Sequence, residues 1–186
     1  TGNNSTLDTN TAEDSILDVA TFIFTADDLL ALSGLYAEGV YIIMNDINLN
    51  GAELKTIGVN FHKTLTIIGN GKTISNVKLV TGMINMVDAV SMFQTRETST
   101  LNIRDLNLAS IQAVANSDAL NGYASAVIGY CEGTANLINV DISDGTIIGH
   151  KSSGALVGHL AIDGALNAID CDVTNTTITL DNDHYA

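Results

Sequence analysis

A seven-residue phrase recurs along this chain, and the recurrence restricts the fold more than any other feature of the sequence. Asn102-Ile103-Arg104-Asp105-Leu106-Asn107-Leu108 returns as Asn136-Leu137-Ile138-Asn139-Val140-Asp141-Ile142 and as Asn167-Ala168-Ile169-Asp170-Cys171-Asp172-Val173. An earlier copy is Thr73-Ile74-Ser75-Asn76-Val77-Lys78-Leu79. The copies lie roughly 29 to 35 residues apart, the period of stacked supersecondary units rather than of independent domains. Each alternates apolar and polar side chains, which is the period of a strand. The chain therefore reads as all-β, a coil of short strands in which each turn lies on the last. Leu106, Val140 and Cys171 then share one inward file, and Leu108, Ile142 and Val173 another. Asn76, Asp105, Asn139 and Asp170 fall at matching positions, a ladder of Asn and Asp at a corner. Its expected work is structural, because short polar side chains hydrogen-bond backbone that a bend leaves unpaired.

Composition agrees with a narrow, strand-built interior. At 186 residues the chain makes one domain, long enough to bury about 70% of its unfolded surface. Hydrophobic residues reach 46% while aromatics are 5% and Trp is absent, so the core is built from Ile, Leu, Val and Ala. Such side chains suit a pleated, stacked surface. Proline is absent, so every residue can donate to a ladder. The 16 glycines are expected at the corners.

The net charge of −14, with seven Lys and Arg, opposes binding to phosphate backbones or anionic lipid. Excess acid keeps an edge-rich protein apart from its neighbours. Cation binding is the other use for it. No run of 18 apolar residues is present, hence no helical membrane span is expected. Cys131 and Cys171 cannot make a disulfide scaffold and read as small core or near-core residues. The start at Thr1 without Met fits either a processed, exported protein or a chain cut from a longer one, and the Ser/Thr/Asn-rich start with the sequons at Asn3, Asn4 and Asn175 leans towards an extracellular site.

Residues 1–21 form a polar leader, expected to lie along the domain or to dock as a donor strand on a neighbour. Residues 22–186 carry the strand coil. Thr25-Ala26-Asp27-Asp28 begins a helix, and Leu29, Leu30, Leu32, Leu35 and Tyr36 continue it at helical spacing. The spacing predicts a capping helix over about 25–38, covering the first turn. Strands follow at 40–44, 64–68 and 73–77. Later turns carry Ser91-Met92-Phe93-Gln94, Ala126-Val127-Ile128-Gly129-Tyr130 and Ala155-Leu156-Val157-Gly158-His159 before the Asn/Asp strand. A third strand comes at Thr146-Ile147-Ile148 and Thr177-Ile178-Thr179-Leu180. At about 4.8 Å per layer, five or six such turns make a rod roughly 25–30 Å long.

Ile67-Ile68-Gly69-Asn70-Gly71-Lys72-Thr73-Ile74-Ser75-Asn76 resembles a turn of bacterial and archaeal pectin-lyase-like surface proteins. Gly154-Ala155-Leu156-Val157-Gly158-His159, followed by Ile169-Asp170-Cys171-Asp172-Val173, is similar to their GLUG repeat. The resemblance spans roughly residues 22–180 and implies a right-handed parallel β-helix with three strands per turn. It says little about activity, since that fold carries adhesins, enzymes and passive stalks. Gln94 stands where Gly129 and Gly158 stand in the later copies, so that copy is expected to bulge differently.

Chemistry is harder to find. A strip of Asp105, Asp141, Asp144, Asp170 and Asp172 could hold Ca²⁺, but hard cations want six to eight oxygens and the spacing matches no known loop. Asp181-Asn182-Asp183-His184 looks like half of a calcium loop and lacks the rest. The arginines Arg96 and Arg104 have no acid cluster in register for lyase chemistry. Asp170 and Asp172 alternate along one strand and make a poor acid–base pair. His62, His150, His159 and His184 show no metal spacing. No catalytic or cofactor-binding residue is assigned. The reading is a non-catalytic extracellular structural or adhesive module of the cell surface, whose partners are copies of itself or other surface components. Unequal ends would let it polymerise head to tail. The alternative is a carbohydrate-binding or polysaccharide-cleaving protein, and glycans are its partners.

Overall fold

The computed structural model describes residues 19–82, 87, 89–115 and 122–181, and nearly all of them lie in or between strands. The strands form three sheets. The main path of the long sheet runs Ala20–Ile23, Gly39–Ile43, Thr64–Val80, Thr100–Val114, Thr134–Ser143, Ala165–Ile169. The middle sheet runs Tyr36–Ala37, Ile57–Val59, Phe93–Thr95, Ile128–Cys131, Val157–Leu160. The short sheet holds Ala89–Val90, Tyr123–Ser125 and Ser152–Gly154. Every strand pairing among the described residues is parallel.

Parallel neighbours cannot be joined by a tight hairpin and need a crossover. Here the crossovers are themselves strands. The chain visits the short, middle and long sheets in that order over residues 89–114, again over 123–149 and again over 152–180. Each circuit lays its residues beside their equivalents. Leu106 pairs with Val140 and Leu108 with Ile142. All four are at most 1% exposed. Leu65, Leu101 and Ala135 form a second buried file, and Ile67, Ile103 and Leu137 a third. Each fully buried aliphatic side chain contributes roughly 1.5–3 kcal/mol by leaving water, so these files hold the layers together.

The first copy of the phrase sits out of the expected register. Thr73 pairs with Asn107, not Asn102, and Val77 pairs with Ile111, not Leu106. The true counterpart of Asn102–Leu108 is Thr66–Ile74, in which the three residues Gly69, Asn70 and Gly71 stand opposite Asp105 alone, and the Thr73–Leu79 copy lies five residues further along.

Glycine does not supply most of the corners. Eleven non-glycine residues have positive φ among the described residues, against four glycines. Asn and Asp adopt this left-handed conformation at lower cost than other side chains. Glycine instead permits close approach between sheets. A Cβ on Gly129 would stand 2.6 Å from the Ala89 Cβ and the Ser91 Oγ. Against Phe93–Thr95 the register shifts between Ile128 and Cys131, so Gly129 and Tyr130 together face Gln94. The bulge lies on the glycine-bearing strand.

The helix is far shorter than its apolar spacing implies. It covers Ala26–Leu30 and buries Leu29. Its start is as the sequence indicates: the Thr25 hydroxyl accepts from the Asp28 N–H, and the Asp28 carboxylate accepts from the Thr25 N–H. The same carboxylate accepts from the Phe24 N–H, and these bonds, Phe24's foremost, hold Asp28 below the usual carboxylate range. Turns then replace the helix, Gly34 takes φ 73°, and Tyr36–Ala37 leaves to pair with Gly58 and Val59. A strand edge captured the segment whose apolar residues imitate a helix face. The leader expected over residues 1–21 lies outside the described residues up to Asp18, and Ala20–Ile23 is a strand paired with Val40–Ile43.

Two of the expected core residues are not buried. Val173 pairs with Ile142 yet is 43% exposed, and Cys171 is only half-buried. Among the described residues no strand pairs with the far side of this last circuit. At the opposite end Ile23, Ile47 and Leu54, whose strands also pair on one side only, stay at most 2% exposed, so what is lacking at this last circuit, among the described residues, is cover over the inward file.

Candidate functional site

Three places deserve chemical scrutiny: the corners of the long sheet, an aromatic cluster between the other two sheets, and the two ends of the stack.

At the first corner, the pairs Arg104–Ile138 and Leu106–Val140 flank Asp105 and Asn139, whose φ angles are 55° and 54°. Asp170, φ 51°, follows Ile169 in the same file. The Asn139 amide donates to the Asp105 carboxylate at 3.0 Å. A neutral Asn between two Asp residues separates like charges that would repel if stacked directly. Asn76 is not a member. It belongs to a second corner, where the Ser75–Ala109 and Val77–Ile111 pairs set it opposite Ser110. Asp144 and Asn175 continue that file, and all four have φ between 46° and 54°. The expected single ladder is thus two, and Asn76 joins the second through the five-residue shift. The Asn76 amide donates to the Asn48 side chain at 3.0 Å.

A further ladder crosses the flat of the sheet. The Asn102 amide donates to the Thr66 hydroxyl at 3.3 Å, and the Asn136 amide donates to the Asn102 side-chain carbonyl at 2.9 Å. The sequence signal was the first residue of each repeated phrase. These bonds pin register and leave few oxygens for a cation. Among the described residues no three His, Cys, Asp or Glu side chains converge. Asn182, Asp183 and His184 of the half-loop motif lie outside the described residues.

The basic side chains are engaged singly. The Arg96 guanidinium lies 4.1 Å from the Phe61 ring centre and 4.0 Å from the Glu132 carboxylate. Arg104 meets Asp105 at 3.5 Å. Exposed pairs Lys63–Glu38 and Lys78–Glu53 link adjacent strands at 2.8 and 2.7 Å and contribute little stability. No pair of carboxylates is held across an open cleft by these contacts.

Sequence spacing missed the aromatic cluster, because Tyr123 joins it from a different sheet. Tyr130 and His159 are paired in the middle sheet, their rings stacked 5.3 Å apart with nearly parallel planes. Tyr123 of the short sheet stacks on His159 at 4.6 Å, and the Lys151 ammonium lies 5.6 Å from the Tyr123 ring. Partial burial, with the nearby Glu132 carboxylate and Tyr123 adding to it, pushes the Tyr130 hydroxyl pKa up. The rings face each other, so the cluster clamps two sheets together; Tyr123 is only 5% exposed.

Cys131 and Cys171 are both free thiols. Burial pushes the Cys131 thiol pKa up, against an opposing hydrogen bond from Thr95. Neither lies beside a histidine that could serve as a base among the contacts described.

A shallow groove of about 260 Å³ beside the middle sheet is lined by Tyr36, Glu38, Asn60 and Lys63. Tyr36 is 48% exposed there.

The ends of the stack differ sharply from its flanks. Val19, Phe22, Phe24, Leu35 and Tyr36 are exposed at one end. Leu160, Ile162, Leu166, Ile169, Val173, Ile178 and Leu180 are exposed at the other. Among the described residues only Phe61, Val114 and Ile138 are comparably exposed elsewhere, so most of the large exposed apolar side chains lie at the ends. No helix among the described residues is long and apolar enough to cross a membrane.

No protein-family model, curated protein or solved structure matches the chain.

Proposed function

We propose that this chain is a right-handed parallel β-helix of the pectin-lyase-like surface type, acting outside the cell as a non-catalytic structural or adhesive module. Its partners on this reading are copies of itself, added head to tail. One observation carries it: exposed large apolar side chains gather where strand edges are unpaired, at the two ends of one parallel sheet. Contiguous exposed apolar surface in a protein this acidic marks an interaction site. An unpaired edge is also a template for another strand.

The test is the association state of the native protein at rising concentration, by light scattering and negative-stain microscopy. The expected outcome is elongated particles of one width whose length grows with concentration. Monodisperse single chains at every concentration, at physiological salt, would sink the reading.

A second reading, glycan binding, rests on the Tyr36 groove, where a half-exposed ring sits beside Asn60, Glu38 and Lys63. A ring face with adjacent amide and charged groups suits a sugar. A glycan array in which Tyr36→Ala abolishes a positive signal supports it; an array negative for the unaltered protein removes it.

A further inference from the structure

The registers of the long sheet assign which strands meet when two copies stack. Ala20 pairs with Val40, Val40 with Thr66, Thr66 with Asn102, Asn102 with Asn136, and Asn136 with Asn167. The neighbouring file runs unbroken from Phe22 through Ile42, Ile68, Arg104 and Ile138 to Ile169. Both terminal strands, Ala20–Ile23 and Ala165–Ile169, therefore run in one direction and keep one in–out phase. Each has a single strand partner in the sheet, on one side.

We infer that Ala20–Ile23 of one copy adds in parallel to Ala165–Ile169 of a second copy, setting Phe22 beside Ile169 and Val19 beside Leu166. The inference rests on the head-to-tail reading and gives it a register. The occupant is a second copy because the two edges fit each other. A parallel edge offers alternating donors and acceptors, and only a strand of the same direction and phase continues the inward files without turning side chains over. In that register Val19 meets Leu166 in the inward file, where they are 72% and 37% exposed against 0% for Leu101 and Ala135, and Phe22 meets Ile169 in the outward file beside half-exposed Ile138. The exposed large side chains of both ends together offer on the order of 1,000 Å² of apolar surface, near the ~1,200 Å² at which specific interfaces begin. The contact joins unlike surfaces, so it repeats without closing.

The test uses two single variants, Val19→Lys and Leu166→Lys, each placing a charge in the inward file at one end. Measurements are made at physiological salt, where a Debye length of about 8 Å screens the −14 charge. Each variant alone is expected to lose all species above the monomer, and their equimolar mixture to give a dimer and nothing larger. The recovered dimer also shows that both variants fold. As an independent arm, Phe22→Cys with Ile169→Cys is built on Cys171→Ala, since registered neighbours lie within disulfide reach. Mild oxidation is expected to give a covalent ladder of multimers, and the control pair Phe22→Cys with Ile138→Cys none. Native filaments without a 22–169 cross-link overturn the register and leave head-to-tail assembly standing. Single chains with no cross-link overturn both.

Discussion

Residues 134–149 and residues 165–180 trace the same path with much the same side chains, yet one stretch is dry and the other is wet. Ile142 is 1% exposed and its partner Val173 is 43% exposed; Ile147 is 0% exposed and its partner Ile178 is 41% exposed. Residue type does not explain the difference. Position in the stack does, because an inward side chain is sealed by the layers above and below it as much as by the sheet it grows from. Stability in such an arrangement is a sum over nearest-neighbour layers, and the outermost layer has one neighbour missing.

The sharpest way to break that comparison is to truncate matched residues. Ile147→Ala should cost about 2–5 kcal/mol in chemical denaturation, and Ile178→Ala roughly 1 kcal/mol or less, since its side chain already meets water. Equal costs would mean that the last layer is covered in solution, and the effect should then grow with protein concentration. Close packing supplies a second contrast. Gly129→Ala should cost about 1–3 kcal/mol, because the new methyl collides with Ala89 and Ser91 between two sheets. Gly145→Ala should cost less, since the nearest atom, 3.1 Å from the added Cβ, is the tip of the Thr176 side chain.

The corner residues sharpen the comparison further. Asp105→Ala and Asp170→Ala both place alanine at positive φ, a cost of about 1–2 kcal/mol each. Asp105→Ala should be worse by about 1 kcal/mol, because it also strips Asn139 of its acceptor. Thermal or urea unfolding of the two variants reads the difference, and identical values would show that the Asn139 bond adds nothing. The thiols give the smallest effect. A neutral alkylating reagent should label half-buried Cys171 and spare Cys131 in the folded protein. Since burial raises the Cys131 pKa, its neutral thiol favours the fold fully below the unfolded value near ~8.5, and that contribution disappears as pH climbs through the folded value. A midpoint that falls above that pH in the native chain, and stays level in Cys131→Ala, is the expected result.

Much of the fold was legible in the sequence, for a physical reason. Parallel neighbours must repeat the same in–out pattern, so Leu106 and Val140 could be matched by eye, and they pair. The register of the earliest copy was illegible, because the three-residue excursion at Gly69, Asn70 and Gly71 changes the count of residues without changing the pattern. The helix was over-read for a similar cause: Leu32, Leu35 and Tyr36 keep helical spacing while a strand edge at Gly58 and Val59 takes the backbone. Tyr130 and His159 end matched copies and pair, but the stacking of Tyr123 on them was invisible, since contacts between different sheets leave no period in the sequence. Asn and Asp at the corners were seen as a file, but their common cause, a left-handed backbone, is a property of conformation that spacing alone does not express.

The pairing of Asn102 with Asn136, 34 residues away, has a mechanical consequence. Pulled from its two ends, the protein offers no hairpin to shear among the described residues, so load reaches one outer strand at a time and peels it like thread from a bobbin. Each release would free one circuit, 31 residues between Asn136 and Asn167 and 34 between Asn102 and Asn136, lengthening the tether by roughly 100–110 Å at ~3.3 Å per residue. A force trace should therefore climb in teeth whose spacing follows the circuit lengths, beginning with the layer that Val173 leaves half open.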